Sequence, residues 1–152
     1  MLYQEYQRMR QYEDDYWWYH GLRTLTTATI GRYCAKPSPL ILDAGCGTGG
    51  QLAWLQRHLP SARLVALDLV PIALQSTQER GLWSLACASV MQLPYPDDTF
   101  DAVTSMDVLY IQGVDDAAAL QEMRRVLRPG GILILNLPAF EFLRGAHDVA
   151  IR

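Results

Sequence analysis

Asp43, Gly45, Gly47 and Gly49 stand together in LILDAGCGTGG, where an apolar run stops at an acid and glycines follow. Glycines at this spacing let the backbone turn tightly from a strand into a helix and come close to a ligand. A carboxylate beside such a turn repels a pyrophosphate, and it attracts a ligand carrying a cationic amino group and a sulfonium. Further along, Asp68 closes the run ARLVALD. An acid at the end of that run can accept hydrogen bonds from both hydroxyls of a ribose. Gly45, Gly47 and Gly50 also satisfy G-x-G-x-x-G, so the spacing by itself leaves a dinucleotide open, and Asp43 favours the cationic ligand.

Candidates for acid–base chemistry are weaker. His20 lies in the aromatic run YWWYHG and His147 in AHD, and each could act as a base; His58, just before Pro60, reads as a helix-end residue. The histidines are too scattered to suggest a metal motif. Tyr16, Trp17, Trp18 and Tyr19 could cover a ligand or simply pack. Arg23 could fork onto a carboxylate, with a solvated helix face as the simpler reading. Cys34, Cys46 and Cys87 are odd in number, lack metal-type spacing, and read as reduced thiols of a cytoplasmic protein.

These residues must be positioned by an alternation of elements. A polar, aromatic helix is expected over residues 2 to about 15. A second carries Leu22, Leu25, Thr26, Thr29 and Tyr33 at helical spacing and stops before KPSP. Short apolar strands then alternate with helices: PLILDAG, ARLVALDL, WSLACAS, FDAVTSM and ILILNL. Between them lie a helix with Leu52, Leu55 and Leu59 on one face, one opened by Pro71, and one capped by Asp115 or Asp116 and carrying Leu120, Met123 and Leu127. Strands this apolar are covered on both faces, so the pattern predicts an α/β, Rossmann-like doubly wound parallel sheet. Ligands in that fold sit beyond the carboxyl ends of the strands, which makes the loops at Asp43–Gly49, Asp68–Val70 and Met106–Tyr110 the ones to watch. The division expected is an N-terminal helical and aromatic lid segment, residues 1–37, on a cofactor-binding domain, residues 38–152, together a single domain.

The chain has 152 residues, half of them hydrophobic and 19% charged, with a formal charge of −3 and no basic stripe. That composition suits a soluble globular domain and argues against a nucleic-acid track. The opening segment is polar from the start, and no apolar run reaches membrane-spanning length, so neither a signal peptide nor a membrane is expected.

LILDAGCGTG, ALDL, LPYPDDTFDAVTSMDVLY and LRPGGILILNLP, taken in order, resemble the successive motifs of class I S-adenosylmethionine-dependent methyltransferases over about residues 38 to 139. The resemblance implies that S-adenosylmethionine is the cofactor. Asp43, Gly45, Gly47 and Gly49 would hold its methionine part, and Asp68 its ribose. Leu69, Ser89 and Val90 would lie around the adenine, and Met106 near the transferred methyl. YEDDYWWYHGLR resembles the aromatic segment that covers the cofactor in some members. Three departures stand out. Ser89 stands where relatives often carry an acid; Ile111 is apolar near a position that is often histidine; and the fold's usual last helix and two strands are missing. A shortened C-terminus is therefore expected, leaving ILILNL as an apolar sheet edge that invites a homodimer. The function expected is methyl transfer to a small-molecule acceptor by direct displacement. The alternatives are an inactive cofactor-binding module and an NAD-dependent oxidoreductase.

Overall fold

The computed structural model describes residues 3–138. The helices are α1 (Tyr3–Tyr12), α2 (Trp17–Tyr33), α3 (Gly50–His58), α4 (Pro71–Glu79) and α5 (Asp116–Val126). The strands are β1 (Leu40–Ala44), β2 (Arg63–Asp68), β3 (Leu85–Cys87), β4 (Phe100–Met106) and β5 (Leu127–Asn136). All strand pairings are parallel, in the order β3-β2-β1-β4-β5. The chain winds outward from β1 to β3 on one side, then returns to lay β4 and β5 on the other. The crevice between the carboxyl ends of β1 and β4 is thus the switch point of a Rossmann-like sheet.

Successive residues of a strand point to opposite faces, and in the central strands both faces are dry. Ile41 packs with Ile30 of α2 and Leu55 of α3, while its neighbour Leu42 packs with Phe100, Met123 and Val126 on the α5 side. Pro71 opens α4 at its first turn, where no backbone N–H is needed. Asp115 caps α5 by accepting from the Ala118 N–H (3.0 Å).

Several expectations are corrected. The second helix, whose stripe was expected from Leu22, already begins at Trp17 and takes in the aromatic run. The buried face of α2 is Arg23, Thr26 and Ile30, while Leu25 and Tyr33 are exposed: the helix is turned to bury an ion pair rather than its leucines. Arg23 is therefore not a solvated helix-face residue. On α5 the buried face is Ala119, Met123 and Val126, and Leu127 already belongs to the sheet. RPGG lies inside β5, as an irregularity opposite the step from Phe100 to Ala102. Among the described residues β5 is an edge strand. The tail expected to follow it, with His147, lies outside the described residues. No described helix is long and apolar enough to cross a membrane.

Candidate functional site

The loop after β1 hangs from the end of β2. The N–H groups of Gly45 and Cys46 both donate to the Leu67 carbonyl (2.9 Å each). The Gly47 N–H donates to Asp68 Oδ2 (2.9 Å), and the Val70 N–H donates to Asp68 Oδ1 (2.9 Å). One carboxylate thereby ties together the loops after β1 and β2. Burial pushes the Asp68 carboxyl above its ordinary range, opposed by these backbone donors. Each ionised oxygen keeps capacity for a further donor.

Asp43 is 2% exposed at the end of β1 and accepts from the Thr104 hydroxyl (2.7 Å). Its pKa is pushed up to about 7, first by burial, against the pull of the Thr104 hydroxyl, with the nearby Asp68 charge adding to the rise. A cation placed there would restore its charge.

The glycines divide by what lies beside them. Gly47, with φ at 53°, lines the cavity, and a side chain there would press on the Met9 methyl. Gly49, at φ 79°, caps α3 and lies against Thr77, so its missing side chain serves packing rather than opening onto the cavity. A side chain at Gly45 would strike Val108.

These loops form one end of a cavity of about 1040 Å³. Asp43, Gly45, Gly47, Asp68, Leu69 and Ser89 line it, as do Val90 and Met106, so the structure brings together every candidate cofactor-binding residue except Gly49. The volume sits at the top of the range of about 300–1,000 Å³ usual for ligand pockets, room for a cofactor and a second molecule. Leu69 is 65% exposed, as a platform at the cavity wall. The Ser89 hydroxyl oxygen accepts from the Met91 N–H (3.2 Å).

His20 is not brought to the cavity. Its Nε2 donates to the Asp14 carbonyl (2.7 Å), and its ring lies edge-to-face with Trp54 of α3. His58 sits at the end of α3, stacked on Trp54 with Nδ1 donating to the Trp54 carbonyl (2.9 Å). Tyr16, Trp18 and Tyr19 line the cavity, while Trp17 is 70% exposed. Among the described residues no group of histidine, cysteine and acidic side chains could hold a metal.

Residues 1–37 were expected as a lid segment, but none of the residues ahead of the aromatic run was singled out. Tyr6, Met9 and Glu13 of the N-terminal segment line the cavity. Glu13, 1% exposed, accepts from Arg23 Nη2 (2.8 Å), Arg80 Nη2 (2.7 Å) and the Thr48 hydroxyl. Arg80 Nε donates to the Thr48 carbonyl (2.8 Å), and its Nη1 reaches Asp14 (3.0 Å). A side chain on Gly50 would collide with the Glu13–Arg23 pair. Nothing in the spacing of YEDD marks Glu13 as buried. Gln51 was missed too: it lines the cavity, and its Nε2 is buried without a hydrogen-bond partner. Asp107 and Asn136, at the ends of β4 and β5, also line it. Asp107 lies in a loop the fold rule points to, but its residue type alone did not single it out.

Residues 42–135 match the methyltransferase domain family. The chain belongs to that family. A malonyl-[acyl-carrier protein] O-methyltransferase of Herminiimonas arsenicoxydans is 39% identical over 102 residues, covering 67% of this chain and 38% of the relative. Among solved structures, the [4+2]-cyclase SpnF is 30% identical with a TM-score of 0.66, over 78% of this chain and 45% of that one. An S-adenosylmethionine-dependent methyltransferase of Mesorhizobium loti is 25% identical with a TM-score of 0.61, over 73% of this chain and 51% of that one. This methyltransferase domain spans less than half the length of the curated relatives it matches first. These matches give the oxidoreductase alternative no support.

Proposed function

We propose that this methyltransferase domain binds S-adenosylmethionine at the glycine loop and transfers its methyl group to a small-molecule acceptor in the same cavity. The observation that carries the reading is Asp68, whose two oxygens join the loops after β1 and β2 at the cavity wall. The residues present fit the cofactor. Asp68 would accept from the ribose hydroxyls, with Leu69, Ser89 and Val90 around the adenine. Asp43 would meet the cationic amino group, gaining its charge as it does so. Gln51 Nε2, buried and unpartnered, supplies a donor for the cofactor's carboxylate. Gly45 and Gly47 would let the backbone come close, Gly49 would hold the shape of the turn, and Met106 would lie towards the acceptor.

Bound S-adenosylmethionine would supply a methyl group on a sulfonium, open to direct displacement. The chain's part is then to align the acceptor and exclude water. Tyr6 and Met9 cover the loop side, and Tyr16, Trp18 and Tyr19 the other. No histidine among the described residues lines the cavity, which fits a transfer in which alignment outweighs proton transfer.

Calorimetric titration with S-adenosylhomocysteine and with NAD tests the reading. The first should bind at one site per chain and the second should not. Binding of NAD alone would reverse it. Release of S-adenosylhomocysteine during turnover separates an enzyme from a binding module.

A further inference from the structure

We infer that Tyr6 is a further cofactor-binding residue, whose hydroxyl donates to the same ribose that Asp68 holds; this rests on the function proposed above. Tyr6 stands on α1, is 7% exposed, and lines the cavity. Among the described residues of α1 it alone is buried, and it joins none of the apolar clusters that form the core. Its burial is therefore against the cavity and the loop beside it.

A helix as short as α1, with ten residues, is marginal by itself, so its place is set by what its inward face meets. Tyr6, Met9 and Glu13 share that face at three- and four-residue spacing, which the bond from the Glu13 N–H to the Met9 carbonyl (2.8 Å) carries past the end of α1. The face runs back along the loop after β1. Glu13 accepts from the Thr48 hydroxyl, and Met9 lies where a side chain on Gly47 would press. One turn before Met9, Tyr6 comes to the place where the Gly47 N–H meets Asp68 Oδ2 (2.9 Å). Burial raises the Tyr6 phenol, and the charge of Asp68 raises it further, so the two groups feel each other and the phenol keeps its proton.

A protonated phenol is a donor, and an ionised carboxylate is an acceptor only. A ribose hydroxyl serves both at once. It donates its proton to Asp68, and its remaining lone pairs accept from Tyr6. A phosphate in that position would instead set a second negative charge against Asp68. α1 thus supplies one of the polar groups of the cofactor site as well as covering it.

The test is calorimetry with S-adenosylhomocysteine and its 2′-deoxy and 3′-deoxy analogues on the parent and on Tyr6→Phe, which keeps the ring and removes the hydroxyl. Competition against S-adenosylhomocysteine reads any analogue too weak to titrate directly. Tyr6→Phe should bind S-adenosylhomocysteine about fivefold more weakly, about 1 kcal/mol, as for one hydrogen bond between neutral groups. With the analogue that lacks the accepting hydroxyl, parent and Tyr6→Phe should agree within about twofold, because the partner of the phenol is already gone. A hydroxyl that only supported the fold would weaken all three ligands alike. Unchanged affinity for S-adenosylhomocysteine in Tyr6→Phe, or a loss that persists with both deoxy analogues, would overturn the inference alone. Failure of S-adenosylhomocysteine to bind the parent would overturn the proposed function and this inference with it.

Discussion

The two sides of the cavity are held by different means. On the glycine-loop side, backbone groups do the holding: Leu67 carries the loop, and Asp68 takes N–H groups from Gly47 and Val70. On the covering side, side chains do it: Glu13 joins Arg23, Arg80 and Thr48 in a buried cluster that pins the N-terminal segment to α4 and the start of α3. Backbone geometry needs glycines and strand ends at fixed spacing, and it leaves a mark in the sequence. A buried ion pair needs only that distant residues meet, and it leaves none.

Removing the cover's anchor should have the largest effect. Glu13→Ala would leave Arg23 and Arg80 buried with only the part-exposed Asp14 as a carboxylate partner, a loss of about 3 kcal/mol of stability. Urea unfolding measures it; a cost below about 1 kcal/mol would mean the cluster does not hold the cover. The loop side should respond in binding instead. Gly47→Val should reduce S-adenosylhomocysteine binding by about a hundredfold or more, about 2.7 kcal/mol, because a β-branched side chain resists a φ of 53° and fills the cavity beside Met9. A folded variant by circular dichroism that binds normally would remove the loop from the site.

A smaller and graded effect should come from pH. Asp43 has its carboxyl pushed up from 3.8 to about 7, so the folded state takes up a proton more readily than the unfolded chain between those values. Its contribution to the stability of the free protein is fully present below about pH 4 and is lost as pH rises through 7. Cofactor binding runs the other way, since a cationic amino group needs the ionised form. Affinity for S-adenosylhomocysteine should fall below pH 7, by up to about tenfold per pH unit, and Asp43→Asn should flatten the profile. Asp68, whose carboxyl burial also pushes up, acts on Asp43, so a profile unchanged in Asp43→Asn would assign the titration to Asp68. The smallest effect belongs to neither side. β5 is an edge strand among the described residues, and pairing with a second copy would make this chain a dimer in sedimentation at tens of micromolar; a monomer there would refute the pairing.

The same contrast explains what could be read in advance. β1, β2 and β4 were legible because central parallel strands are continuously apolar and end at chemistry-bearing residues. The turn at Asp43, Asp68 and the glycines was legible because a tight strand-to-helix turn restricts residue type. The face of α2 was not, because Arg23 and Thr26 point inward where periodicity favours leucines. On α5 the expected stripe ran one residue too far, since Leu127 looks helical by spacing yet begins β5. Glu13 was hidden in an acidic run. Gly50 only completed an ambiguous dinucleotide spacing in the sequence, and its place against the Glu13–Arg23 pair gives it a packing reason.

The central claim, that the carboxylate joining the two loops holds the cofactor's ribose, is tested most directly by titrating Asp68→Ala with S-adenosylhomocysteine. Affinity should fall at least about tenfold, about 1.4 kcal/mol, while the circular dichroism spectrum stays that of the parent. Unchanged affinity in a folded variant would contradict the account.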